Sequence, residues 1–255
     1  MKWYTKQINS LNIKNAIVLE GLPGIGNVGK ISVDFIIDKV NAKKIYEIKS
    51  DKFPHCVFVN EENTIDLPKI EIYYKKVNSN ELIFVSGDVQ PIDEHSCYEF
   101  CNNLLDLLKH KKLKEIITLG GVGINEIPKN PKLYCTGTDQ KIINKYKDIQ
   151  IKDELYGTIG PIMGVSGLLL GLAKERKVPG VAILVETFGH PAYIGINGAR
   201  EILKHLNKKL KLNIDLKELD KEIKELESEL KIRNETLDLA KRKKVMKKEY
   251  TNYIG

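Results

Sequence analysis

The apolar run Ala16-Ile17-Val18-Leu19 leads into Gly21-Leu22-Pro23-Gly24-Ile25-Gly26-Asn27-Val28-Gly29, and an apolar-periodic segment continues from there to Val40. A β-rich run, a glycine-dense turn and a helical period, in that order, make a strand-to-helix junction and commit the chain to an α/β fold. Residues 16–20 read as a strand, 27–40 as a helix and 44–49 as a second strand. Short β runs at 56–60, 64–67, 71–76 and 81–86 follow with no helix between them, as a meander inserted into or extending the sheet would. Residues 93–109 place Phe100, Leu104, Leu107 and Leu108 on one helical face, with the cap near 92–93. A strand over 115–119 ends in Gly120-Gly121-Val122-Gly123; a strand at 133–136 and helices at 139–146 and 163–176 come next. The last strand, 180–186, is uniformly apolar in the manner of a central parallel strand buried on both faces, and a helix over 197–210 closes the fold. The expected architecture is a mostly parallel central sheet flanked by helices.

At 255 residues and 42% hydrophobic, the chain can bury a full α/β core with length to spare. Residues 1–214 read as that globular domain. Beyond Asp215 the texture changes: Leu216, Leu219, Ile223, Leu226, Leu230 and Leu237 fall on heptad positions between lysines and glutamates, and Arg233 interrupts the seam. Residues 215–255 are expected to form a charged helical arm with a flexible C-terminal tail. Much of the basic excess behind the net charge of +7 lies between Lys204 and Lys248, so nucleic acid is not indicated for the globular part. Few aromatics accompany these lysines, which argues against stacking on bases.

The four cysteines, Cys56, Cys97, Cys101 and Cys135, form no CxxC pair and lie near no histidine cluster, so neither a disulfide framework nor a metal site is expected. Cys97 and Cys101 have i,i+4 spacing and read as buried small hydrophobes. The opening Met1-Lys2-Trp3-Tyr4-Thr5-Lys6 lacks the apolar core of a signal peptide, and no apolar run is long enough to span a bilayer. A cytoplasmic location without membrane contact is expected.

Gly24-Ile25-Gly26-Asn27-Val28-Gly29 matches GxGxxG, and Glu47 or Asp51 lies about twenty residues on, where a ribose-binding acid would stand. The same residues equally make a tight βα turn with no ligand. Gly120-Gly121-Val122-Gly123 and Gly157-Thr158-Ile159-Gly160-Pro161-Ile162-Met163-Gly164 have the same character, so the glycine-rich turns should collect on one edge of the sheet. Glu186-Thr187-Phe188-Gly189-His190-Pro191 offers Glu186 or His190 as an acid or base, but no nucleophile or metal spacing completes a catalytic set. His55, His95, His110 and His205 are isolated, and surface or capping roles are expected of them. The helix from Met163 is apolar nearly all round and must be central or lie in a subunit contact; Ser166, Gly167 and Gly171 read as small residues for close packing.

Taken in order, Glu20-Gly21-Leu22-Pro23-Gly24-Ile25-Gly26-Asn27-Val28-Gly29, Leu82-Ile83-Phe84-Val85-Ser86-Gly87-Asp88-Val89-Gln90-Pro91, Leu119-Gly120-Gly121, Gly160-Pro161-Ile162-Met163-Gly164-Val165-Ser166-Gly167-Leu168-Leu169-Leu170-Gly171 and the Glu186 to Pro191 loop resemble the proteasome assembly chaperone family, specifically its archaeal homologues. The resemblance spans roughly residues 16–210. It implies a fold similar to the nucleoside phosphorylase type, no enzymatic activity, no cofactor, and a homo-oligomer, a tetramer or pentamer, that contacts proteasome α subunits. It leaves Gly24, Gly26, Gly29, Gly121, Glu186 and His190 as a candidate loop surface. Some members dock through a C-terminal hydrophobic-Tyr-any residue motif. Here the end reads Tyr250-Thr251-Asn252-Tyr253-Ile254-Gly255, with the tyrosine one place early, so Tyr250, Tyr253, Ile254 and Gly255 are the candidate tail contacts. A nucleotide- or nucleoside-binding enzyme using the glycine turns is the alternative.

Overall fold

A sheet of nine strands runs through the described part of residues 1–214 in the computed structural model, which describes residues 3–91, 93–148, 151–152, 160–221 and 223. In chain order the elements are β1 (Trp3–Gln7), β2 (Ile17–Glu20), α1 (Val28–Lys39), β3 (Lys43–Ser50), β4 (Phe58–Val59), β5 (Ile65–Asp66), β6 (Ile70–Val77), β7 (Asn80–Gly87), α2 (Glu94–Leu108), β8 (Glu115–Ile124), β9 (Leu133–Gly137), α3 (Gln140–Tyr146), β10 (Ile151–Lys152), α4 (Gly164–Glu175), β11 (Gly180–Phe188) and α5 (Ile196–Leu210). The spatial order is β1-β3-β6-β7-β2-β8-β11-β9-β10, with β4 and β5 forming a separate hairpin.

The centre of the sheet, β7-β2-β8-β11, is parallel. Its strands are apolar without alternation because both faces are covered. Val18, Ile83, Val85, Ile116, Ala182 and Leu184 share one core cluster with Phe100, Leu104, Val165 and Leu169 of α2 and α4. The alternate residues of those strands point to the other face, where α1 packs with α5. Asp93 caps α2 by accepting from Ser96 N at 2.9 Å, and Asp139 caps α3 by accepting from Lys141 N and Ile142 N. Cys97 and Cys101 are buried on α2, as their spacing implies.

Several boundaries differ from the sequence reading. The strand expected over 115–119 does not stop at its glycines, because β11 supplies ladder partners from Gly180↔Ile116 to Phe188↔Ile124. Glu186, Thr187 and Phe188 thereby belong to strand rather than loop. β1, polar and exposed along four of its five residues, carries no buried-strand signature, yet pairs with β3 at the sheet edge. The expected meander divides: β6 and β7 form an antiparallel hairpin within the main sheet, whereas β4 and β5 stand apart. His205 is buried on α5 rather than at the surface, because its helical position faces the core between Leu203 and Leu206.

The chain divides into two units, Met1–Ile214 and Asp215–Gly255. In the second, Asp215 Oδ1 accepts from Lys217 N at 3.0 Å, and helix follows from 217. The remaining heptad leucines, the basic run and Tyr250, Tyr253, Ile254 and Gly255 lie outside the described residues. Among the described residues no helix is long and apolar enough to cross a membrane.

Candidate functional site

The described parts of the glycine-rich turns meet at one edge of the sheet, at the C-terminal ends of β2 and β8; Gly157, Thr158 and Ile159 of the third turn lie outside the described residues. The parts that meet border a cleft of about 510 Å³ lined by Pro23, Gly24 and Ile25 after β2, by Gly120 to Gly123 of β8, and by Ile162, Met163 and Gly164 at the start of α4. Ligands of open α/β sheets usually bind in such a crevice. Among the described residues that line it there is no lysine, arginine or histidine.

Gln90 ties two of these turns together, donating from Nε2 to Pro23 O at 2.6 Å and accepting at Oε1 from Val165 N at 3.3 Å. Beneath the cleft, Glu20 is fully buried and accepts from Leu22 N at 3.1 Å and from Ser166 Oγ at 2.9 Å. Burial pushes its carboxyl up to about 7 against the opposing pull of these two donors. Ser166 lines the cleft, so this small residue does more than admit a neighbouring helix: it connects the cleft to a carboxyl that titrates near neutrality. The sequence reading quoted Glu20, Gln90 and Ser166 within its motifs without assigning them this role. Only the acid closing an otherwise apolar strand could have drawn attention to the site.

The glycines themselves are taken up by protein. Gly26 has a φ of 63°, and a β-carbon there would overlap Thr187 Oγ1. Side chains at Gly29 and Gly121 would press on the backbone oxygens of Leu119 and Ile25 respectively. Thus the turn after β2 lies directly on β8, and the approach that a dinucleotide fold opens to pyrophosphate is filled by chain. Gly24 alone of these four faces open space. The acid of the fingerprint is also displaced. Glu47 lies on β3, which β6 and β7 separate from β2, a span of about 14 Å at the usual strand spacing; its carboxylate meets Lys49 at 3.2 Å.

Glu186 and His190 make separate contacts. Glu186 accepts from Tyr134 OH at 2.7 Å and from Lys132 N at 3.1 Å, which fastens β9 to β11 and raises the Tyr134 hydroxyl to about 12, burial contributing most. His190 is exposed, stacks on Phe188 with ring centroids 5.7 Å apart, and accepts at Nδ1 from Ala192 N. A joint acid–base role for the two finds no support in these contacts. Among the described residues no group of three or more histidine, cysteine, aspartate or glutamate side chains is placed to hold a metal ion.

Comparison with known proteins gives a consistent result. The model of the PAC2 family matches residues 18–232. The crystal structure of Pyrococcus furiosus PbaB, an archaeal proteasome activator, superposes with a TM-score of 0.83 at 31% identity, over 91% of this chain and 98% of that one. P. furiosus PbaA, an archaeal homolog of proteasome-assembly chaperone, gives a TM-score of 0.76 at 26% identity, covering 98% of this chain and 99% of the other. The uncharacterized protein MJ1210 of Methanocaldococcus jannaschii is 28% identical over 222 residues, 87% of this chain and 84% of that protein.

Proposed function

Since the chain belongs to the PAC2 family, we propose that it is a non-enzymatic proteasome assembly chaperone or proteasome-binding regulator, acting as a homo-oligomer that contacts proteasome α subunits. The observation that carries this reading is the likeness to PbaB over nearly the whole of both chains, at 31% identity. PbaB is a proteasome activator and PbaA a homolog of proteasome-assembly chaperone, so the proteasome is common to both neighbours.

The physical state of the glycine turns supports the same reading. Their close approaches bring backbone against backbone, and they build a firm rim with Ile25 half exposed and Met163 79% exposed beside the cleft. An uncharged rim with projecting apolar side chains suits contact with polypeptide better than with a phosphorylated ligand. The second contact we assign to residues 215–255, with Tyr250, Tyr253 and Ile254 as anchors and the basic run from Lys241 to Lys248 steering them toward an acidic surface.

The test is capture of purified proteasome α subunits by the full chain and by a Tyr250→Ala/Tyr253→Ala variant, at low and moderate salt. The native chain is expected to capture them, the variant to do so at least tenfold more weakly, and salt to weaken both. Equal capture by the two chains removes the tail from the mechanism; no capture by either removes the function.

A further inference from the structure

At the edge of the sheet opposite the glycine cleft, α2 and α4 end side by side. A 3₁₀ turn, Lys109–Lys111, prolongs α2, and Leu113 then leads into β8 as Val178 leads from α4 into β11. Between the two ends lies a recess of about 310 Å³ lined by Leu105, Lys109, Lys112, Leu113, Arg176 and Val178. Leu105 is buried, and Leu113 and Val178 are half-buried against the main core, so the floor is apolar and fixed. Lys109, Lys112 and Arg176 are exposed around it.

The positive charge here exceeds what the fold uses. Residues 109–114 read Lys-His-Lys-Lys-Leu-Lys, and 174–177 read Lys-Glu-Arg-Lys. Cations near helix C-termini ordinarily answer backbone carbonyls. Lys111 is spent in that way, donating from Nζ to Leu11 O at 3.0 Å. Arg176 instead reaches across to α2, where Nη1 meets Asp106 Oδ1 and Nη2 meets Asn102 Oδ1, each at 2.7 Å. A guanidinium carries more N–H donors than these two bonds use. Lys109 and Lys112 differ from both: among the described residues neither ammonium has a carboxylate or carbonyl partner. Two unpaired ammonium groups and a partly used guanidinium thus border one apolar floor.

A phosphate backbone matches this surface poorly. Phosphate oxygens laid over Leu105, Leu113 and Val178 would lose water for no return, and among the described residues no aromatic side chain lines the recess for a base to stack on. A polypeptide offers what both parts need, an aliphatic side chain for the floor and carboxylates for the rim. We propose that the recess at the C-terminal ends of α2 and α4 docks an acidic segment of a partner polypeptide, one aliphatic side chain seated on Leu105, Leu113 and Val178 between carboxylates paired with Lys109, Lys112 and Arg176. Arg176, already held by α2, is the preorganised member, and its planar fork suits a carboxylate. The two lysines add an attraction that speeds encounter and weakens with salt. This contact is separate from the glycine cleft and from the tail, and stands or falls independently of both.

Fluorescence anisotropy of a labelled, end-capped peptide Glu-Asp-Leu-Asp-Glu tests this with the full chain, its Lys109→Glu/Lys112→Glu variant and, because the tail is itself basic, a Lys243→Glu/Lys244→Glu variant. Lys109 and Lys112 are exposed, so the first variant is expected to melt as the native chain does. The peptide is expected to bind the native chain, to bind the first variant about tenfold or more weakly, and to bind the second within about twofold of native. Lys109→Gln/Lys112→Gln, which removes the charges without reversing them, should weaken binding by a smaller factor, and replacing the peptide's leucine by alanine should weaken it about threefold or more. No binding to the native chain, or an equal loss in the two reversal variants, overturns the pocket. An affinity indifferent to the leucine is unspecific charge attraction and overturns it too. An oligothymidylate that displaces the labelled peptide at lower concentration than the unlabelled peptide does assigns the surface to nucleic acid, and the proposal is then wrong.

Discussion

Glu20 is a buried carboxyl whose cost can be measured through pH. The carboxyl is fully buried, and desolvation raises it from an ordinary 4.5 to about 7. Below pH 4.5 it is protonated whether the chain is folded or not and costs nothing further. Between 4.5 and about 7 the unfolded chain releases the proton while the folded chain keeps it, so stability falls as pH rises, by on the order of 3 kcal/mol once the range is crossed. Glu20→Gln keeps an acceptor for Leu22 N and a polar partner for Ser166. The stability of this variant relative to the native chain, measured by urea unfolding, should therefore grow between pH 4.5 and 8; a difference independent of pH contradicts the assignment. His205 works in the opposite direction. Burial first, and Lys209 second, lower it to about 4, so its contribution is lost as pH falls from 6.5 through that value. His205→Leu should flatten the acid limb of the same profile. Neither residue could be read from sequence as it stands here, since Glu20 meets Ser166 across 146 positions of chain and the burial of His205 depends on how α5 seats.

Among the elements, the junction of β2, α1 and β8 decides whether the glycines serve a ligand or the fold. If they serve the fold, substitution costs stability in proportion to what each glycine faces. Gly29→Ala and Gly121→Ala push a methyl against backbone that no rotamer change can move, and each should cost about 2–4 kcal/mol. Gly24→Ala enters open space from an extended backbone and should change stability by no more than about 0.5 kcal/mol. Thermal melts of the three variants check this ordering, and equal losses at all three would contradict it. The strand-turn-helix pattern was plain in the sequence because it is local. What the turn touches was not: the glycines of β8 look like a strand end until β11 is seen to pair along their whole length.

For the molecule as a whole, sequence reading succeeded where periodicity reports burial directly and failed where pairing is long-range. The parallel centre is legible because strands covered on both faces have no reason to alternate. The edge strand β1 is not, since Trp3-Tyr4-Thr5-Lys6-Gln7 is polar along most of its length and becomes a strand only through its register with residues 46–50. The candidate site shows the same division: the described parts of the turns come together as expected, whereas Glu186 and His190, grouped with them as one loop surface, hold separate local contacts. Because no cation is among the described residues lining the cleft, adenine and nicotinamide nucleotides should leave the melting temperature unchanged. The central claim is that the chain meets proteasome polypeptide. Native mass spectrometry of the full chain mixed with purified proteasome α subunits tests it most directly: the account predicts a complex of fixed stoichiometry that dissolves as salt is raised, and a folded chain that forms no complex at any ratio would contradict it.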